Sequence, residues 1–228
     1  MKSILPMRAP RPLTARLRLT ALLWLIAFLA APTAQQPRHG RLFPPQQLGL
    51  LEGPDRDAWQ KPDLVMDALN IADGAVVADL GAGAGWFTIR LARRVGPNGR
   101  VYAEDIQPQM IDSTTRRVQR EGLRNVETIL GTADDARLPA GGVDAVLIVD
   151  VYHEMEHPVT LLRQVASSLS PKGRVGIVDF TQEGGGPGPP LDERVDPERI
   201  VQDAKAAGLR LLKRETFLRY QYMLVFGR

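Results

Sequence analysis

A short apolar run, residues 75–80, ends in Asp79-Leu80-Gly81-Ala82-Gly83-Ala84-Gly85, and a segment with helical periodicity, residues 86–95, follows at once. Three glycines at alternate positions allow backbone conformations closed to other residues. They also let the chain approach a ligand closely, with the amide-rich start of the helix facing it. A strand, a glycine turn and a helix in this order commit the chain to an α/β fold, because the strand and helix can bury their apolar sides only against each other.

The remainder of the sequence repeats the alternation. Residues 100–104, 126–130, 143–149 and 174–180 read as strands, the third of them the most apolar. Residues 108–120, 159–169 and 197–207 read as helices, stopped by Gly122, by Ser170-Pro171-Lys172-Gly173 and by Gly208. A further helix is expected from Asp57, with Trp59, Leu64, Val65, Ala68 and Leu69 at helical spacing and Pro62 tolerated only in its first turn. Strands alternating with helices of this length imply parallel βαβ units and a sheet covered on both faces. The last two strand-like runs, 210–215 and 220–226, have no helix between them and should pair as an antiparallel hairpin.

The acids around the glycine loop narrow its ligand. The usual dinucleotide fingerprint spaces its glycines G-x-G-x-x-G, whereas here Gly81, Gly83 and Gly85 alternate behind Asp79 at the strand end. A carboxylate beside a pyrophosphate is unfavourable, but beside an amino group or a sulfonium it is favourable. The second strand ends in Glu104-Asp105, where a carboxylate can accept hydrogen bonds from both hydroxyls of a ribose. Either acid could instead cap the helix that starts near Pro108. Of the two, Asp105 is preferred for the ribose.

Val77-Ala78-Asp79-Leu80-Gly81-Ala82-Gly83-Ala84-Gly85 resembles the first motif of class I methyltransferases. Val101-Tyr102-Ala103-Glu104-Asp105-Ile106-Gln107-Pro108-Gln109-Met110-Ile111 resembles the acidic-strand motif of the ubiquinone/menaquinone C-methyltransferase-like group, and Leu138-Pro139 and the turn at 169–173 match it too. The resemblance covers nearly everything after residue 55. It implies a Rossmann-like, seven-stranded, mostly parallel sheet of order 3-2-1-4-5-7-6 with S-adenosylmethionine as cofactor. Asp79, Gly81, Gly83 and Gly85 would then hold the amino-acid end, and Asp105 with Ile106 the ribose. The group usually has an acid directly after the glycine ending strand three. Here Thr132 follows Gly131, and Asp134 is the residue expected at the adenine, a solvated helix cap being the alternative.

Ligands of open α/β sheets sit at the carboxyl ends of the strands, so the residues after Val149 should face cofactor and acceptor. Asp150 is expected on the cofactor, with Tyr152 and His153 toward the acceptor and His153 as a candidate base. The alternative for His153 is a hydrogen bond that merely organises the loop. The same stretch, His153-Glu154-Met155-Glu156-His157, spells H-E-x-x-H, which on a helix would bind zinc. It follows a strand, however, and Pro158 disfavours helical geometry at His157, so no metal is expected. Direct displacement of a methyl group onto a small-molecule acceptor is the reaction expected. A non-catalytic nucleoside- or partner-binding module is the rival.

The net charge of +3 comes from the N-terminus. Lys2, Arg8, Arg11, Arg16 and Arg18 precede any acid, and without them 24 basic residues face 26 acidic ones. No basic stripe with interleaved aromatics remains, so general nucleic-acid binding is not expected. The apolar run 19–31, broken only by Thr20, spans about 20 Å as a helix, short of a bilayer core of about 30 Å. Residues 1–34 are therefore expected to be a secretory signal peptide or an uncleaved membrane anchor, the only part to contact a membrane. Residues 35–55 follow as a linker or arm and 56–228 as the domain. Export follows from that reading; a mis-assigned start codon would leave the domain in the cytoplasm. Cysteine is absent, so thiolate chemistry and disulfides are excluded.

Overall fold

The computed structural model describes residues 42–228. The expected signal or anchor segment lies outside the described residues, as does the first part of the expected arm. Among the described residues, no helix is long and apolar enough to cross a membrane.

The strands are β1 (Val76–Leu80), β2 (Arg100–Asp105), β3 (Val126–Leu130), β4 (Val143–Val149), β5 (Leu169–Phe180), β6 (Arg210–Glu215) and β7 (Gln221–Gly227). They form one sheet of order β3-β2-β1-β4-β5-β7-β6, as the resemblance implies. β1 to β5 pair in parallel, and β7 runs antiparallel to both β5 and β6, as expected of strands without a crossover helix. The architecture is the Rossmann-like fold of class I methyltransferases.

Among the described residues, six α-helices accompany the sheet: α1 (Arg56–Gln60), α2 (Pro62–Ala68), α3 (Trp86–Val95), α4 (Pro108–Arg120), α5 (Pro158–Ser168) and α6 (Pro197–Ala206). The helix expected from Asp57 is two helices. Lys61 adopts a left-handed conformation (φ 46°) and Pro62 starts a new helix at its first position, where its missing N–H costs nothing. The turn read at residues 170–173 lies within β5: Val143 pairs with Leu169 but Ala145 with Arg174, so the intervening residues loop out as a bulge.

Side-chain alternation along the central strands divides the core in two. Val146 and Ile148 of β4 join Ala78, Leu80, Ile177 and Phe226 under α5 and α6. Ala145, Leu147 and Val149 face the other way, with Val77, Leu91, Val95 and Val225 under α2 and α3. β4 is thus buried on both faces, which explains its unbroken apolar sequence. The same alternation sends Asp79 to the α3 side of β1.

Candidate active site

A cavity opens at the carboxyl ends of β1, β2 and β4, bounded by the glycine loop, the start of α4, the loop after β3 and the segment after β4. Asp79, Gly81, Gly83, Asp105, Ile106 and Asp150 all line it. Gly85 is not among the lining residues; it precedes α3, with φ 78°.

The three glycines serve different needs. All have positive φ, the left-handed region that side chains disfavour. A Cβ on Gly81 would sit 2.4 Å from Val151, and one on Gly85 would press on Thr114 at 3.1 Å. These two are required by the packing of the protein itself. At Gly83 the nearest atom would be Leu51 at 3.8 Å, so this glycine leaves open space toward the cavity. Its carbonyl accepts from the Thr114 hydroxyl at 2.7 Å and its amide donates to Asp105 Oδ2 at 3.0 Å, which ties the loop to β2 and α4.

Asp79 is nearly fully buried and accepts from the Thr88 hydroxyl of α3 at 2.6 Å. Burial pushes its pKa up to about 6, against the pull of Thr88 and of Arg56. Asp105 also accepts from the Gln107 amide at 2.9 Å, so each of its oxygens is oriented by one backbone donor, with lone pairs to spare for a ligand. Its pKa too is raised by burial. Glu104 turns instead toward Gly131, where even a Cβ would collide with it, and burial and then Asp105 raise it to about 8.

Asp150 departs from β4 with a left-handed backbone (φ 59°) and enters a closed polar ring. Arg56 Nε donates to Gln60 Oε1 at 2.7 Å, Gln60 Nε2 to Gln221 Oε1 at 2.9 Å, and Gln221 Nε2 to Asp150 Oδ1. Arg56 Nη2 closes the ring 3.6 Å from Asp150 Oδ2. Burial raises Asp150 to about 7, with Arg56 as the main opposing charge. Arg56 is itself buried, which lowers its pKa, and it lies over the Trp86 ring at 4.3 Å while lining the cavity. It is the cation available for a carboxylate.

Residues 42–55, read as a linker or arm, form a strap over this cavity and include a 3₁₀ helix, Pro45–Glu52. The Phe43 amide donates to Glu154 Oε2 at 3.0 Å, and the Phe43 carbonyl accepts from Gln107 Nε2 at 3.1 Å. Glu52 pairs with Arg117, and Arg56 donates to the Leu51 carbonyl. Leu42, Phe43 and Leu51 supply apolar wall.

The other expected residues lie elsewhere. Asp134 is outside the cavity lining, exposed and paired with His157 Nδ1 at 2.9 Å; Thr132 and Ala133 line the wall beside it. Tyr152 points into the core, its hydroxyl donating to Asp203 at 2.9 Å. His153 sits behind the wall, its Nδ1 3.1 Å from both oxygens of Asp179. His153 and His157 are therefore engaged by two separate carboxylates, the first in a 3₁₀ turn (Tyr152–Glu154) and the second before α5, not on one helical face. Among the described residues, no group of three potential ligands is placed to hold a metal.

Several lining or supporting groups carried little sequence signal. Gln221 and Asp179 are polar residues within apolar strands, and that is the cue the sequence offers for them. Glu154 stood out only as part of the H-E-x-x-H string. Nothing in the composition of residues 42–52 marks them as wall.

Residues 77–173 match a family described as a methyltransferase domain. An uncharacterized methyltransferase of Mycobacterium bovis is 37% identical over 122 residues, 54% of this chain and 46% of that protein. A demethylmenaquinone methyltransferase of Geobacillus stearothermophilus is 31% identical over 124 residues, 54% of this chain and 52% of that one. This chain thus spans about half the length of these relatives. Among solved structures, a SAM-dependent methyltransferase from Aquifex aeolicus superposes with a TM-score of 0.78 at 27% identity, covering 81% of this chain and 98% of that one. The cofactor of such domains is S-adenosylmethionine. The geometry fits it: an open glycine at the loop, a doubly oriented carboxylate at the β2 end, a buried carboxylate at the β1 end and a buried guanidinium opposite. Residues 77–173 are therefore similar to a methyltransferase domain, within the fold of class I, S-adenosylmethionine-dependent methyltransferases.

Proposed function

We propose that the protein transfers a methyl group from S-adenosylmethionine to a small-molecule acceptor by direct displacement. The observation that carries this reading is the convergence of Asp79, Asp105, Asp150, Arg56 and the open face of Gly83 on one cavity at the strand ends. When bound, the cofactor supplies a methyl group already activated by the sulfonium, so the protein's task is alignment and exclusion of water.

Asp79 would hold the amino group, Arg56 the carboxylate and Asp105 with Ile106 the ribose. Thr132, Ala133 and Leu161 would flank the base, in place of Asp134. Residues 42–52 close the site against solvent. The apolar Leu42, Phe43 and Met155 among the lining residues favour a small, partly apolar acceptor. Such an acceptor also agrees with the Geobacillus relative's being a demethylmenaquinone methyltransferase. With its N-terminal segment acting as a signal or anchor, the domain would work outside the cytoplasm.

The test is transfer from methyl-labelled S-adenosylmethionine into the small-molecule fraction of a cell extract. Label should enter that fraction with the wild-type protein and not with Asp105→Ala. Label confined to macromolecules would contradict the proposed acceptor class.

A further inference from the structure

The carboxylates of the cavity are not equivalent. Asp79 is occupied by Thr88, Asp105 by two backbone amides, and Asp150 by Gln221 and Arg56. Glu52 pairs with Arg117, Glu104 is turned to Gly131, and Glu156 is exposed at the rim. Glu154 differs from all of these in lying against an imidazole. Its Oε2 accepts one hydrogen bond, from Phe43, while Oε1 faces His153 Nε2 at 3.8 Å, and the carboxylate lines the cavity.

The arrangement behind Glu154 is fixed by a fully buried acid. Asp179, one residue before the end of β5, has no exposure and accepts from the amides of His153 and Phe180. His153 Nδ1 stands 3.1 Å from both its oxygens, so this nitrogen must carry the proton, and the ring presents Nε2 to Glu154. Asp179 already balances His153. Glu154 is a second carboxylate on the same imidazole, on the cavity side, and the neutralisation of Asp179 does not require it.

We propose that Glu154 accepts the proton of the methyl acceptor during transfer, and that His153 and Asp179 are positioning residues that hold its carboxylate. The proposal rests on the methyltransferase reading above. In this step a lone pair of the acceptor atom forms the bond to the methyl carbon, and the carbon–sulfur bond breaks with its pair leaving on sulfur. The proton of the acceptor atom passes to a Glu154 oxygen, which becomes a neutral acid until product leaves. Burial raises Glu154 to about 7, although the Phe43 amide and His153 both favour its charged form. A base of that strength suits a nucleophile with an acidic proton, such as a phenol or an enol, and not an aliphatic alcohol.

Sinefungin tests this without the acceptor, because it carries an ammonium on carbon where the cofactor carries its methyl sulfonium. Calorimetry on the full-length protein should show sinefungin bound about tenfold more tightly than S-adenosylhomocysteine. In Glu154→Gln that preference should fall to about twofold or less, with S-adenosylhomocysteine affinity within about twofold of wild type as the measure of an intact fold. Should Glu154→Gln fail to bind either compound, Asp179→Asn reads the same ratio through His153, and the ratio should drop at least threefold. A preference unchanged in the variant that binds overturns the role of Glu154 alone. Failure of the wild type to bind S-adenosylhomocysteine overturns the cofactor reading, and this proposal with it.

Discussion

The Gly83 amide donates to Asp105 Oδ2 at 3.0 Å, joining the glycine loop to the end of the second strand through one carboxylate. Asp105 thus shapes the loop as well as presenting oxygens to the cavity, where we propose that the ribose lies. Asp105→Ala should weaken S-adenosylhomocysteine binding by tenfold or more, since a hydrogen bond to a charged group contributes about 1.5–3 kcal/mol. Asp105→Asn, which can still accept from one amide, should lose less. Titration calorimetry on the two variants checks the order.

Gly81→Ala should destabilise the fold itself. Its Cβ would lie 2.4 Å from Val151 at a φ of +74°, so a clash adds to the left-handed backbone cost. Together these should remove roughly 2–4 kcal/mol. Gly122→Ala is the matched comparison: its φ is +66° and nothing lies within 4 Å, so only the backbone term of about 1 kcal/mol applies. Thermal unfolding of both variants should show the larger drop in Tm for Gly81→Ala.

The parts of this site that were legible in the sequence share a cause. The glycine loop, Asp79 and Asp105 are consecutive with their strands, so local pattern places them, and the alternation of elements gives the strand order once the resemblance is added. The parts that were not legible depend on contacts far apart in sequence. Phe43 meets Glu154 across 111 positions and Gln60 meets Gln221 across 161. Tyr152 was misdirected by a rule that treats every residue past a strand end as ligand-facing. A 3₁₀ turn there rotates alternate side chains inward, and Asp203 on α6 offers the Tyr152 hydroxyl a partner in the core. Asp134 is likewise held by a partner outside the cavity lining, the exposed imidazole of His157.

Stability in the absence of ligand should fall as pH rises from about 6 to 9. Burial alone would lower the His153 pKa, but Asp179, then Glu154 and Asp150, raise it to about 9. A folded-state value above the unfolded 6.5 stabilises fully below 6.5, and that contribution is lost as pH rises through 9. The carboxylates raised mainly by burial, Asp79 to about 6, Asp150 and Glu154 to about 7 and Glu104 to about 8, act in the same direction, since the folded state again holds the extra protons. Tm measured across this range should decline. Asp179→Asn should lie well below wild type at pH 7 and close part of the gap by pH 10.

The central claim is that the cavity formed by Asp79, Gly83, Asp105 and Arg56 binds S-adenosylmethionine. Isothermal titration calorimetry of the purified protein with S-adenosylhomocysteine tests it most directly. One site per chain is predicted, with affinity reduced at least tenfold in Asp105→Ala and weakening below pH 6 as Asp79 becomes protonated. No heat of binding at millimolar ligand, or binding that Asp105→Ala leaves unchanged, would contradict it.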